Sequence, residues 1–268
     1  MALVCAARRR PLGFGCHEDG ALSIHEIAPW AAWHGRLMVA AWIVILPLGV
    51  LVARFFKVTP GQRWPETLDN KRWWRLHLAL QYSGIAIMTV AAVLAARNAD
   101  LARSAFPLHG LLGWLVVALG WLQVLGGLLR GSKGGPQPGT EGARNILVRG
   151  DHYDMTRRRV IFEHVHKAGG YLAIALAPIV VALGLHAAAA PSWMGWLIAC
   201  ACIGGLSIFA WLQWSGRCID TYQAIWGASR DHPGNRRPPI GWAIRRFEDR
   251  SQSDAHDLQG IQEPKSGD

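Results

Sequence analysis

Four histidines in this chain stand where histidine is seldom tolerated. His34, His77, His109 and His166 each fall within the first turns of a long apolar run, in the settings WAAWHGRLMV, WWRLHLALQYSG, PLHGLLGWLVV and HVHKAGGYLAI. Ionisable side chains inside such runs are costly, and they mark an ion pathway, a counter-ion or a bound group. A neutral imidazole is also a ready metal ligand through either ring nitrogen. Small residues accompany all four: Gly35, Gly84, Gly110, Gly113, Gly169 and Gly170. Glycine lets a neighbouring backbone, or a flat group, come close to the main chain. The chemistry open to this set is ligation of a metal, free or carried in a planar macrocycle.

The elements that must position these side chains are five apolar runs, at about residues 32–56, 73–96, 107–130, 166–186 and 193–213. Each is long enough to cross a bilayer as a helix. Of the 268 residues, 51% are hydrophobic and only 17% are charged, so the composition is that of a polytopic membrane protein. The fold class is all-α: a membrane bundle of five transmembrane helices. Consecutive spans alternate in direction. His34 and His109 therefore share one depth, and His77 and His166 share the opposite one. Two imidazoles on facing helices at equal depth are what bis-histidine ligation of a haem b needs. One ion held by all four is ruled out, because the pairs lie at opposite faces. Two such haems across a four-helix core form an electron path from one face to the other.

A lone histidine of this kind is most simply a packing residue or an interfacial anchor, and these glycine spacings occur at ordinary helix contacts. Four histidines in matching places on successive spans ask for a common reason. His17, His25, His164 and His186 have no such pattern and read as loose histidines, His164 being the competitor of His166. On the second span His77, Gln81 and Gly84 fall on nearly one face; the third repeats the scheme with His109, Gly113, Gly120 and Gln123. Pro47 is expected to bend the first span.

The net charge of +10 would suit nucleic acid, but its placement argues for membrane topology and against a nucleic-acid partner. Of 28 Lys and Arg, six fall on the side of the N-terminus and of the link between spans two and three. The other 22 lie in the first link, the third link and the C-terminal stretch. The positive-inside rule then places the N-terminus outside and the C-terminus in the cytoplasm, against the local objection of Arg8, Arg9 and Arg10. Three regions follow: an outer tail over 1–30, a membrane domain over 31–215 and a basic cytoplasmic tail over 216–268, expected to be disordered from about Ser251. Residues 1–30 do not read as a signal peptide, so the first span is expected to carry the targeting. The 33-residue stretch from Gly131 to Glu163 is too long for a simple turn and is expected to fold over the cytoplasmic mouth. Cys5, Cys16, Cys200, Cys202 and Cys218 form neither CxxC nor the CxxCH setting of covalent haem.

In order, HGRLMVAAW, RLHLALQYSG, HGLLGWLVVALGWLQVLGG and HKAGGYLAIAL resemble the four-helix core of the cytochrome b561 family, over about residues 30–215. The resemblance implies two b haems, with the first core histidine paired to the third and the second to the fourth. That agrees with the depth argument. It also implies a transmembrane oxidoreductase. Many members take electrons from ascorbate on the cytoplasmic side and reduce monodehydroascorbate or ferric chelates outside. Basic residues just upstream of the second core histidine hold the ascorbate anion in those members; Lys71 and Arg75 match in place, Arg75 standing where a lysine is usual. As plain topological anchors the two read equally well. Arg157, Arg158 and Arg159 could also meet an anionic donor, although a topological charge run accounts for them. The familiar animal and plant enzymes have six spans; this chain has five and is closer to shorter bacterial or fungal members.

The alternative from another class is a non-catalytic haem-binding anchor that relays electrons to a docked redox protein. The cytochrome b of respiratory complexes needs paired histidines on each of two spans, an arrangement this sequence lacks. The expected partners are membrane lipid and a small-molecule or protein donor and acceptor, with pairing to a second copy left open.

Overall fold

The computed structural model describes residues 27–98, 107–137 and 146–248. Five helices are long and apolar enough to cross a membrane: α1 (Pro29–Phe55), α2 (Arg72–Arg97), α3 (Pro107–Leu128), α4 (Arg157–Ala187) and α5 (Ser192–Trp214). The chain is an all-α polytopic bundle, as its apolar runs require.

The helices α1 to α4 pack around one core: Ala41, Trp42 and Leu46 of α1, Ile85 and Met88 of α2, Val116 of α3, and Ala173, Ala177 and Val180 of α4. All of these except Val180 lie around the middle of their helices, so the apolar core is a central plug with polar side chains above and below it. Within α1 the backbone widens to a π-turn over Ala40–Ile45, directly ahead of Pro47. Proline has no N–H to give and its ring crowds the carbonyl four residues back, which an extra residue in the turn relieves. Close to the break, the Leu46 carbonyl accepts a hydrogen bond from the Gln81 side-chain amide of α2 at 3.1 Å.

The fifth helix stands apart. Its apolar side chains, among them Trp196, Leu206 and Trp214, are exposed, as suits a helix facing lipid. Its basic end is tied to the bundle by Gln213, whose Oε1 accepts from Arg54 Nη2 at 2.8 Å.

The basic links do fold over one end of the bundle, and they recruit the C-terminal stretch to do so. A two-stranded antiparallel hairpin pairs β1 (Gly135–Gln137) with β2 (Ile146–Val148). At its base Gly134, at φ +63°, packs against Gly150 so closely that neither position has room for a Cβ. A short helix, α6 (Thr221–Trp226), is capped by Asp220, whose carboxylate accepts from the Tyr222 N–H at 3.2 Å. Tyr153, Met155, Tyr222, Trp226 and Ile240 then bury one another in a second small core. Residues 216–248 are therefore a folded cap. The expectations for His17, His25 and the stretch from Ser251 fall outside the described residues.

Candidate haem-binding site

Cross-helix hydrogen bonds fix the depth of three of the four histidines. His34 Nδ1 meets the Ala91 carbonyl near the far end of α2 at 2.9 Å. His109 Nδ1 meets Val180 O near the far end of α4 at 3.1 Å. At the opposite end His77 Nδ1 meets Gly49 O of α1 at 2.9 Å. A backbone carbonyl can only accept, so in each case Nδ1 carries the proton and Nε2 is left with its lone pair. That is the tautomer a metal ligand needs, with the second ring nitrogen anchored to the protein.

The histidines group by these depths. The rings of His34 and His109 lie with centroids 6.2 Å apart and planes at 90°. A metal–imidazole bond of about 2 Å on each side, plus the two ring radii, separates the centroids of a ligating pair by about 6 Å. His166 lies within electrostatic reach of His77 and, with Nδ1 buried and unpartnered, awaits a neighbour. From His77 to the level of Ala91 is fourteen residues of α2, which puts the two histidine levels about 20 Å apart along the helix axis. Both fit inside a hydrocarbon layer about 30 Å thick.

The surroundings of each level are built to order the rings. A Cβ on Gly184 would come within 2.8 Å of His109 Cε1, so the small residue is what lets the imidazole lie against α4. Gly169 is packed by the Gln123 side-chain amide at 2.6 Å from where its Cβ would be, and Gln123 Oε1 is another buried acceptor without a partner. Beside His77 stands Trp74 at 6.0 Å between centroids; beside His166, Phe162 stacks at 5.1 Å with a 28° tilt. The spacing of the His34 and His109 rings, their free Nε2 atoms and the close approach of Gly184 fit a flat iron macrocycle at that level, and the orphaned Nδ1 of His166 is compatible with a bound group beside His77. Among the described residues no three His, Cys, Asp or Glu side chains converge on a bare metal ion.

The other sequence candidates are dispersed. Lys71 and Arg75, at the start of α2, are exposed, and Lys71 Nζ lies 4.0 Å from Asp69. Of the arginine triplet, Arg157 and Arg158 are exposed while Arg159 turns inward to Glu163 at 2.9 Å. His164 Nδ1 bonds its own Val160 carbonyl at 2.9 Å, and both His164 and His186 are exposed. The sequence reading did not single out His152, a buried imidazole of the cap. It lies among glycines and charges with no helical period, and only packing against Tyr222 and Trp226 marks it out.

Residues 33–132 match the family described as Eukaryotic cytochrome b561. That segment holds His34, His77 and His109 at the depths just described. This stretch, somewhat over a third of the chain, is similar to the cytochrome b561 family. Its members are haem b proteins, which agrees with the fit at the His34–His109 level. Among curated relatives, a putative ferric-chelate reductase 1 homolog of Drosophila melanogaster is 27% identical over 62% of this chain and 22% of its own length. A cytochrome b561, DM13 and DOMON domain-containing protein of Arabidopsis thaliana is 25% identical over 66% of this chain and 17% of its own. Human ferric-chelate reductase 1 is 30% identical over 48% and 20%. The chain thus spans about a fifth of the length of these relatives. No solved structure matches it.

Proposed function

We propose that this cytochrome b561 relative carries electrons across a membrane through two b haems. His34 and His109 ligate one, and His77 and His166 the other. The observation that carries the reading is the 6.2 Å, perpendicular approach of His34 and His109, together with carbonyl anchoring of Nδ1 at three of the four rings. Bound haem supplies a one-electron ferric–ferrous couple. The chain's own part is to hold two imidazoles at each level, to keep water out through the apolar plug between them, and to set each potential by hydrogen bonding and burial.

The basic links and the C-terminal cap face the cytoplasm, where the electron donor binds, and the acceptor is met on the opposite face. The names of the relatives support a ferric chelate as acceptor. Ascorbate is the donor class implied by Lys71 and Arg75, which stand exposed within two turns before His77. The relay reading, a haem-bearing anchor serving a docked protein, draws support from the folded cap over the same face.

The deciding measurement is a reduced-minus-oxidised visible spectrum of the purified protein, with haem b quantified per chain. Two haems are expected, with one lost in His77→Ala and one in His34→Ala. Full occupancy in His77→Ala overturns the pairing. Rapid reduction by ascorbate, slowed by changing Lys71 and Arg75, supports a small-molecule donor. Reduction by dithionite alone favours the docked partner.

A further inference from the structure

Positive charge at the level of His77 and His166 exceeds the carboxylates the chain brings to it. Glu163, buried one turn before His166, serves two cations: Arg159 at 2.9 Å and Lys167 at 2.7 Å. Lys133 is taken by Asp69 at 2.6 Å. Arg130, just beyond the end of α3, has no ion-pair partner among the described residues. Burial, and then repulsion from Arg159, push its pKa down.

A third group stands on the adjoining stretch of the link, where the His152 N–H donates to the Ser132 carbonyl, two residues from Arg130, at 3.0 Å. The His152 side chain is 4% exposed, and its Nε2 is buried without a hydrogen-bond partner. Tyr222 and Trp226 flank it at 5.8 and 6.0 Å between ring centroids. Its charged surroundings are Arg159 and Lys167, Lys133 of the link, and the single carboxylate of Glu163. Burial first, and Arg159 next, hold its pKa down to about 3. A buried polar atom left unpaired costs on the order of 1–3 kcal/mol, so a missing partner is the simplest account of it.

The two arginines are placed alike with respect to the histidines. Arg130 lies over the Trp74 ring, 4.2 Å from its centroid, and Trp74 neighbours His77 at 6.0 Å. Arg159 lies 5.2 Å from the Phe162 centroid, and Phe162 stacks on His166 at 5.1 Å. Each guanidinium is thus one aromatic ring removed from one of the two imidazoles.

We propose that Arg130, Arg159 and His152 form an oxyanion cradle for the propionate carboxylates of the haem that His77 and His166 hold. The inference rests on that haem assignment. Haem b carries two carboxylates on one edge, and placed here they give Arg130 a counter-charge, give His152 Nε2 a partner and supply the negative charge that Glu163 cannot supply alone. Charge-assisted hydrogen bonds of this kind are the strong ones, and arginine's fork suits carboxylate.

The test uses the full chain, stripped of haem and reconstituted with haem b or with its dimethyl ester, in which both propionates are masked. In the wild-type protein, haem b should leave the basic-face level about tenfold more slowly than the ester for each contact the ester forfeits. In Arg130→Gln and His152→Leu that preference should shrink, while the His34–His109 level, reconstituted in the same molecules, shows no change. Variants that weaken haem b and ester equally have merely loosened the fold, and overturn the cradle. So does unchanged haem retention with a raised half-saturation for ascorbate, which would assign the cradle to a soluble anion. Failure of the wild-type chain to bind haem at all would instead remove the underlying assignment.

Discussion

Gly184 lies against the imidazole of His109, with no space between them for a side chain. The same ring is held by the Val180 carbonyl, one turn earlier on α4. Enlarging the glycine to leucine must drive the ring off that carbonyl and out of its orientation. Gly184→Leu is therefore expected to lose the haem of the His34–His109 level and keep the other, giving about one haem per chain. Haem quantification on the purified variant checks it; retention of both haems would show that the ring adapts.

Gly49 does comparable work in α1. A Cβ there would collide with the Gln81 side-chain amide and approach Leu80 Cβ to 3.3 Å. Overpacking of a close helix contact costs about 1–3 kcal/mol. Gly49→Val is expected to spread α1 from α2, lower the thermal midpoint in detergent and lengthen the Gly49–His77 hydrogen bond. An unchanged midpoint would mean that Gln81 swings away freely.

Arg54 joins the bundle to the C-terminal cap. Its guanidinium donates to Tyr171 Oη at 2.8 Å, to Gln213 Oε1 at 2.8 Å and to the Trp242 carbonyl at 3.1 Å, and stacks 3.9 Å from the Trp242 ring centroid. Arg54→Met leaves those partly buried acceptors short of a donor, a loss of about 1–3 kcal/mol. Arg54→Lys should rescue little, since one ammonium cannot reproduce the fork. Limited proteolysis near residues 227–241 should accelerate in both variants; equal digestion of wild type and Arg54→Met would free the cap from dependence on this contact.

Lys57 makes the cap contact sensitive to pH. It is buried, with Nζ donating to the carbonyls of Arg54 and Ile219 at 3.0 Å each, and burial pushes its pKa down to about 8 from 10.5. Below pH 8 the folded and unfolded chains both hold the proton, and the folded state bears the full penalty of a buried charge. Between about 8 and 10.5 the unfolded chain binds a proton the folded chain has released, so stability rises with pH in that window. The gain is on the order of 3 kcal/mol. Thermal midpoints across that window should climb in the wild-type protein and climb less in Lys57→Met. Parallel curves would place the lysine in water.

Much of this was legible in sequence because a bilayer imposes length and polarity on every span. The π-turn at Ala40–Ile45 was foreshadowed by Pro47, although a bend and a widened turn look alike in sequence. The cap was less readable. Its members Tyr153, Tyr222 and Trp226 are far apart in the chain, and short irregular segments carry no periodic signal. The basic residues of 216–248 looked like a tail because charge shows at once in a sequence, whereas the burial that organises it does not.

The sequence by itself determined five membrane-crossing helices, their alternating direction, and the depth that His34 shares with His109 and His77 with His166. Those follow from apolar length and helical rise, which are local properties of the chain. Only the tertiary structure decided that three Nδ1 atoms would be anchored on carbonyls of neighbouring helices. It alone set Arg130 over Trp74 beside His77, and Arg159 by Phe162 beside His166. Contacts between residues remote in sequence depend on how helices and links pack, and no pattern along a single chain specifies which carbonyl an imidazole will meet or which charges will be left without partners.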